Sequence, residues 1–174
     1  TFWLATSCAP NSKENKLEPT FAYDDMFGTV LNRFIVQSVA NVPLTVYGSG
    51  NQIRGYINIK DTLNCISLTL NNKPKQGSLN IYNQFTEQFS VNELAEKVKK
   101  ALAKININTT IKKIKNPRVE SEKHYYNAKN HNMIKLGLKP TLLNDDVIIA
   151  IAKHVIKYKK NINKSILKPK TKWA

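Results

Sequence analysis

A chain of 174 residues with 41% apolar content can bury one substantial core, and none of its apolar runs approaches the ~20 residues that crossing a bilayer requires. The net charge of +15 invites a nucleic-acid partner, yet only three of the 27 basic residues are arginine, Arg33, Arg54 and Arg118, and the lysines are scattered among many Asn and Ile. That mixture reads as the bias of AT-rich coding sequence, not as a basic groove, so nucleic-acid binding is disfavoured. Against a lysine background each retained arginine points to a need for the planar fork that grips phosphate or carboxylate through two bonds. Two cysteines, Cys8 and Cys65, have neither zinc nor disulfide-framework spacing. With Thr1 at its start and Met26 as its first methionine, the sequence reads as a piece of a longer protein.

Residues 1–25 show no period. From Thr29 to Ala40, Leu31, Phe34, Ile35 and Val39 form the stripe of an amphipathic helix ended by Asn41 and Pro43. The run 43–46 predicts a strand, Gly48 and Gly50 a turn, and the alternation through Tyr56, Ile57, Asn58 and Ile59 a second strand. Asp61 is expected to cap a helix reaching Leu70, with Leu63, Ile66 and Leu70 on its apolar side. Ser78 to Asn83 reads as a strand. Ser90 and Glu93 make a capping box ahead of Val91, Leu94, Ala95, Val98 and Leu102. Asn108 to Ile114 favours extended structure, and Pro117 then presents Arg118 on a loop. Asp145 or Asp146 opens a last helix whose face is Val147, Ile148, Ile151, Ala152 and Val155; the Lys-rich remainder reads as a tail. Strands alternating with helices argue an α/β or mixed α+β architecture.

The chemistry-bearing patterns are few. Gly48-Ser-Gly50 has no third glycine and leads to a strand where a dinucleotide fingerprint needs a helix, so it reads as a turn. Tyr125 and Lys129 have the spacing of a tyrosine base beside a lysine, but with no dinucleotide-binding segment ahead of them they read as chance. His124, His131 and His154 lack metal-ligand spacing, and no metal is expected. Asp145-Asp146 suits a helix start. Arg54 and Arg118 remain as two forks able to neutralise a diphosphate, with surface ion pairs as the equal alternative.

Several blocks, however, resemble a known family. Gly28-Thr-Val-Leu-Asn-Arg33-Phe, Pro43-Leu-Thr-Val-Tyr47-Gly and Arg54-Gly-Tyr-Ile-Asn-Ile-Lys-Asp61 resemble one branch of the extended short-chain dehydrogenase/reductases, the NAD-dependent nucleotide-sugar epimerases and dehydratases, the Arg54-Gly-Tyr and Asp61 features being shared with the wider family. The blocks Asn83-Gln-Phe-Thr-Glu-Gln-Phe-Ser-Val-Asn-Glu-Leu94 and Asn116-Pro-Arg118-Val-Glu-Ser-Glu-Lys-His124-Tyr-Tyr-Asn-Ala resemble its sulfolipid-forming branch, and the likeness runs from about Phe21 to Trp173.

The resemblance implies the C-terminal part of a Rossmann-type α/β enzyme: a small mixed α+β substrate domain plus the last helix and strand of the nucleotide-binding sheet. It divides the chain into an unassigned segment 1–25, a substrate-domain helix and strands at 26–60, the final dinucleotide-sheet elements at 61–84, more substrate domain at 85–160 and a basic tail at 161–174. It further implies tightly held NAD, bound mainly by an N-terminal half that also carries the catalytic residues, and conversion of UDP-glucose with sulfite or a sulfite donor. Carried onto this sequence, Val30, Leu31, Asn32 and Arg33 with Thr45, Val46 and Tyr47 would line the uridine. Gln52 and Arg54 would meet the ribose and diphosphate, and Arg118 with Glu120 would close the other side. A homodimer and a plastid setting, or else a bacterial cytoplasm, are expected, without membrane insertion. Alone the chain is expected to be inactive. The alternatives are a non-catalytic UDP-sugar-binding module, another nucleotide-sugar epimerase or dehydratase and, least favoured, a Lys-rich nucleic-acid-binding protein.

Overall fold

The computed structural model describes residues 21–24, 28–116 and 128–167. Three helices make the core: α1, Val30–Val39, α3, Val91–Ala103, and α5, Asp145–Lys157, which pack on one another in every pairwise combination. Their apolar stripes supply the buried set Leu31, Phe34, Ile35, Leu94, Val98, Leu102, Ile148 and Ile151, each burial contributing about 1.5–3 kcal/mol. Each helix starts at a polar cap. Thr29 accepts from the Asn32 amide, Asn144 accepts from the Val147 amide, and Ser90 with Glu93 closes the anticipated capping box. Those Ser90 bonds to the Glu93 carboxylate hold its pKa below the usual value. At 2.6 Å, Lys104 beside the end of α3 meets Asp145 at the start of α5, an exposed bridge.

Two short sheets flank the helices. Strand β1, Leu44–Tyr47, lies parallel to β4, Ile111–Ile114, with Leu44 opposite Ile111 and Tyr47 opposite Ile114. Strand β2, Ile53–Tyr56, runs antiparallel to β3, Glu87–Ser90, placing Arg54 opposite Phe89. Between β1 and β2 the chain turns through Gly48 and Gly50, both at positive φ. The α1 stop at Asn41 is also left-handed, φ 56°, a conformation asparagine tolerates better than most residues.

Helix α2, Ile59–Asn71, differs from expectation at its start and along its face. The cap is Asn58, whose side chain accepts from the Lys60 amide, so the alternation expected to continue as a strand through Ile59 stops at Tyr56. Asp61 sits inside the first turn with a buried carboxylate that accepts from the Thr141 amide at 2.6 Å and its hydroxyl at 2.9 Å. The side of α2 that packs carries Cys65, which joins Ile57, Met133 and Leu138 in a small second cluster; burial pushes the Cys65 thiol up, and the Asp61 charge adds to it. Met133 comes from the short helix α4, His131–Lys135. The anticipated face of Leu63, Ile66 and Leu70 is instead 59%, 43% and 64% exposed.

Residues 78–83 form no strand: no strand among the described residues pairs with them, and Leu79 and Ile81 stand open to solvent. Within the stretch read as a basic tail, the chain packs on the core as far as Leu167, which is fully buried. No helix among the described residues is long and apolar enough to cross a membrane.

Candidate functional site

The anticipated site residues that the structure describes fall on three consecutive pieces of chain, α1, β1 and β2 with its turn. From α1, Arg33 reaches over β1: its Nη2 donates to the Thr45 carbonyl at 3.2 Å, and its guanidinium lies 4.2 Å from the centroid of the Tyr47 ring. Stacking on an aromatic face and a bond to a carbonyl together fix the plane of the fork. Arg54 projects from β2 half-buried, Nη1 donating to the Ile53 carbonyl at 2.8 Å. Tyr56, two residues on from Arg54 in β2, is 3% exposed. Burial pushes its phenol up to about 12, and the charges of Arg54 and then Arg33 pull the other way. The charges of both cations are thus felt at one phenol, an effect that sequence spacing, which singled out Arg54 with Arg118, gave no sign of.

Two amide groups complete the polar wall. Asn32 is buried, donates from Nδ2 to the Ala22 carbonyl at 3.0 Å and leaves Oδ1 with no hydrogen-bond partner among the described residues. Gln52, at the end of the turn, likewise has a buried Oε1 without such a partner. Buried acceptors in this condition are rare, because an unmet acceptor costs about 1–3 kcal/mol. Val30 is partly buried against the core. Leu31 and Val46 differ from expectation, since both side chains are wholly inside the core and leave only backbone to a ligand. Arg118, Glu120, His124 and Tyr125 lie outside the described residues.

The turn that carries Gln52 is fixed from α3. The Asn92 amide donates to the Gly50 carbonyl at 3.0 Å, and its side-chain Nδ2 donates to Ser49 O at 2.9 Å and Asn51 Oδ1 at 3.0 Å. Sequence spacing gave no hint of this clamp. It also answers the dinucleotide question: the space over Gly50 is filled by Asn92 and Val46, so this glycine pair forms a closed turn, not a phosphate cradle. His154 packs between Phe21 and Tyr158, and no cluster of His, Cys, Asp or Glu among the described residues could hold a metal.

This arrangement of helices around a parallel and an antiparallel strand pair matches part of the extended short-chain dehydrogenase/reductase fold. Solved structures similar to this chain include UDP-glucuronic acid 4-epimerase from Bacillus cereus, 22% identical with TM-score 0.57 over 75% of this chain and 40% of that one. A UDP-N-acetylglucosamine 4-epimerase from Methanobrevibacter ruminantium is 18% identical, TM-score 0.61, over 80% of this chain and 43% of the other. The sequence narrows the relationship, for the chain is a relative of UDP-sulfoquinovose synthase. It is 46% identical over 153 residues to the chloroplastic enzyme of Spinacia oleracea, 88% of this chain and 32% of that protein. It is 43% identical over 163 residues to the enzyme of Sulfolobus acidocaldarius, 92% of this chain and 41% of the other. The chain thus spans well under half the length of both relatives. No protein-family model matches it.

Proposed function

We propose that this chain is the sugar-nucleotide-binding C-terminal portion of a UDP-sulfoquinovose synthase, which converts UDP-glucose and sulfite to UDP-sulfoquinovose for sulfolipid. The observation that carries the reading is the Arg33 fork held flat on the Tyr47 ring and against the Thr45 carbonyl, on chain segments that also carry two unmet amide acceptors, Asn32 Oδ1 and Gln52 Oε1. In this reading Arg54, together with Arg118, neutralises the diphosphate. Arg33 and the ring of Tyr47 bound the uracil, with Val30, Leu31, Thr45 and Val46 contributing main chain and apolar surface. Asn32 Oδ1 suits an imide N–H, Gln52 Oε1 a ribose hydroxyl, and Glu120 closes the far edge.

NAD belongs, in this proposal, to an N-terminal half that supplies the dinucleotide cradle and the catalytic groups, so the 174-residue chain is inactive alone. The open apolar face of Leu63, Ile66 and Leu70, with Leu79 and Ile81 beside it in sequence, supports that division. It is the surface on which 61–84 would complete the missing sheet. A homodimer and a plastid location, as in the chloroplastic spinach relative, complete the proposal.

Titration calorimetry with UDP, UDP-glucose and ADP tests the binding half of the reading. Uridine nucleotides should bind and ADP should not, and absence of UDP binding would overturn it. Supplying the longer protein with UDP-glucose, NAD and sulfite should yield the sulfonated sugar nucleotide; an epimerised sugar instead would assign the chain to the epimerases.

A further inference from the structure

We infer that Gln37 is a positioning residue for the uridine wall, and that it ties the wall to the turn at Leu167. Gln37 lies one helical turn beyond Arg33 on α1 and is wholly buried. Its Oε1 accepts from the Thr45 amide at 3.1 Å, and its Nε2 donates to Thr45 Oγ1 at 2.8 Å. Arg33 meanwhile takes the Thr45 carbonyl. Two side chains at i and i+4 on one helix thus satisfy both backbone groups of a strand residue, as a neighbouring strand would. The second proton of Nε2 goes to the Leu167 carbonyl at 3.2 Å, from a residue 130 positions away. Every polar atom of the Gln37 side chain is engaged, in a place where a missing partner is costly.

The consequence is that Arg33 does not set its own position. Its fork bonds to a carbonyl whose strand is pinned by Gln37, and it stacks on Tyr47 two residues further along that strand. Loss of the Gln37 amide frees Thr45 to shift along α1, and the shift moves both the acceptor and the ring that orient the guanidinium. Gln37 touches no ligand in this arrangement; it acts through Arg33.

This inference rests on the uridine-site reading above, and a double-mutant cycle separates the two. UDP affinity is measured by calorimetry in the longer protein for the unsubstituted form, Gln37→Leu, Arg33→Ala and the double variant. Gln37→Leu should weaken UDP about tenfold, the scale of one charged hydrogen bond, but less than about twofold when Arg33 is already alanine. Gln37→Glu, which keeps the acceptor for the Thr45 amide, repeats the cycle if the leucine variant fails to fold, and should bind UDP more tightly than Gln37→Leu where both fold. Equal losses in both backgrounds would mean a merely structural glutamine and overturn the inference, as would unchanged affinity. Failure of the unsubstituted protein to bind UDP overturns the site reading itself.

Discussion

Gly48 and Gly50 stand two residues apart in one turn at similar left-handed angles, φ 60° and 73°, but with different surroundings. A Cβ on Gly48 would meet Asn116 Cβ at 3.4 Å, an ordinary contact, whereas one on Gly50 would lie 2.3 Å from Asn92 Oδ1 and 2.6 Å from Val46 Cγ1. Val46 is wholly buried and cannot retreat; Asn92 can, but only by giving up its side-chain bonds to Ser49 and Asn51. Gly48→Ala should therefore cost only the left-handed penalty, about 1–2 kcal/mol. Gly50→Ala should add the loss of two hydrogen bonds of about 0.5–1.5 kcal/mol each, about 2–5 kcal/mol with the left-handed penalty, and the overpacking against Val46 comes on top of that. Urea unfolding of the two variants and the parent reads the difference directly. Because the turn delivers Gln52 and Arg54, the Gly50 variant should also bind UDP more weakly than the Gly48 variant. Equal destabilisation by the two substitutions would refute the claim that Asn92 clamps the turn.

The remaining predictions use the same geometry. Arg54→Ala in the longer protein should weaken UDP binding by about 1.5–3 kcal/mol, the range for a charged hydrogen bond, and an unaltered calorimetric affinity would remove Arg54 from the site. Tyr56 ionises near 10 when unfolded and at about 12 in the fold, so the folded pKa is the higher one. Its contribution is whole below pH 10 and is lost as pH rises towards 12, by up to about 2–3 kcal/mol; Tyr56→Phe should lack that part of the alkaline decline, and identical pH slopes would count against a buried phenol. Leu63→Lys with Leu70→Lys should change the stability of the isolated chain by less than about 0.5 kcal/mol, since both side chains are already exposed. In the longer protein the same pair should lower the melting temperature if that face is covered there, and an unchanged melt would show it bare.

What the sequence made legible was whatever depends on neighbours in the chain. The stripes of α1, α3 and α5 repeat at helical spacing, and the Ser90–Glu93 box is local, so periodicity and cap chemistry sufficed. The misplaced start of α2 shows where that logic ends. Asp61 has the right chemistry for a cap, but its carboxylate is engaged by Thr141, 80 residues away, and Asn58 takes the capping role. Leu63, Ile66 and Leu70 do repeat as a buried face should, yet burial needs a partner surface, and the described residues provide none there. The same absence of a neighbour leaves 78–83 unpaired although its alternation suits a strand.

The site follows this division. Arg33 and Arg54 both stood out because an arginine among lysines is conspicuous, but only the resemblance drew Arg33 to the same site, since nothing in its spacing shows that α1 lies across β1. Gln37 and Asn92 were invisible for a further reason: in sequence a buried glutamine on a helix and an asparagine after a cap look like ordinary polar residues. Their meaning comes from carbonyls and amides delivered by β1, the Gly48–Gly50 turn and the Leu167 turn. A buried amide is retained only where its hydrogen bonds are met. In this fold the partners of those two amides are the β1 segment against which Arg33 lies and the turn that leads to Arg54, so the residues hardest to read are bonded to the segments that carry the conspicuous ones.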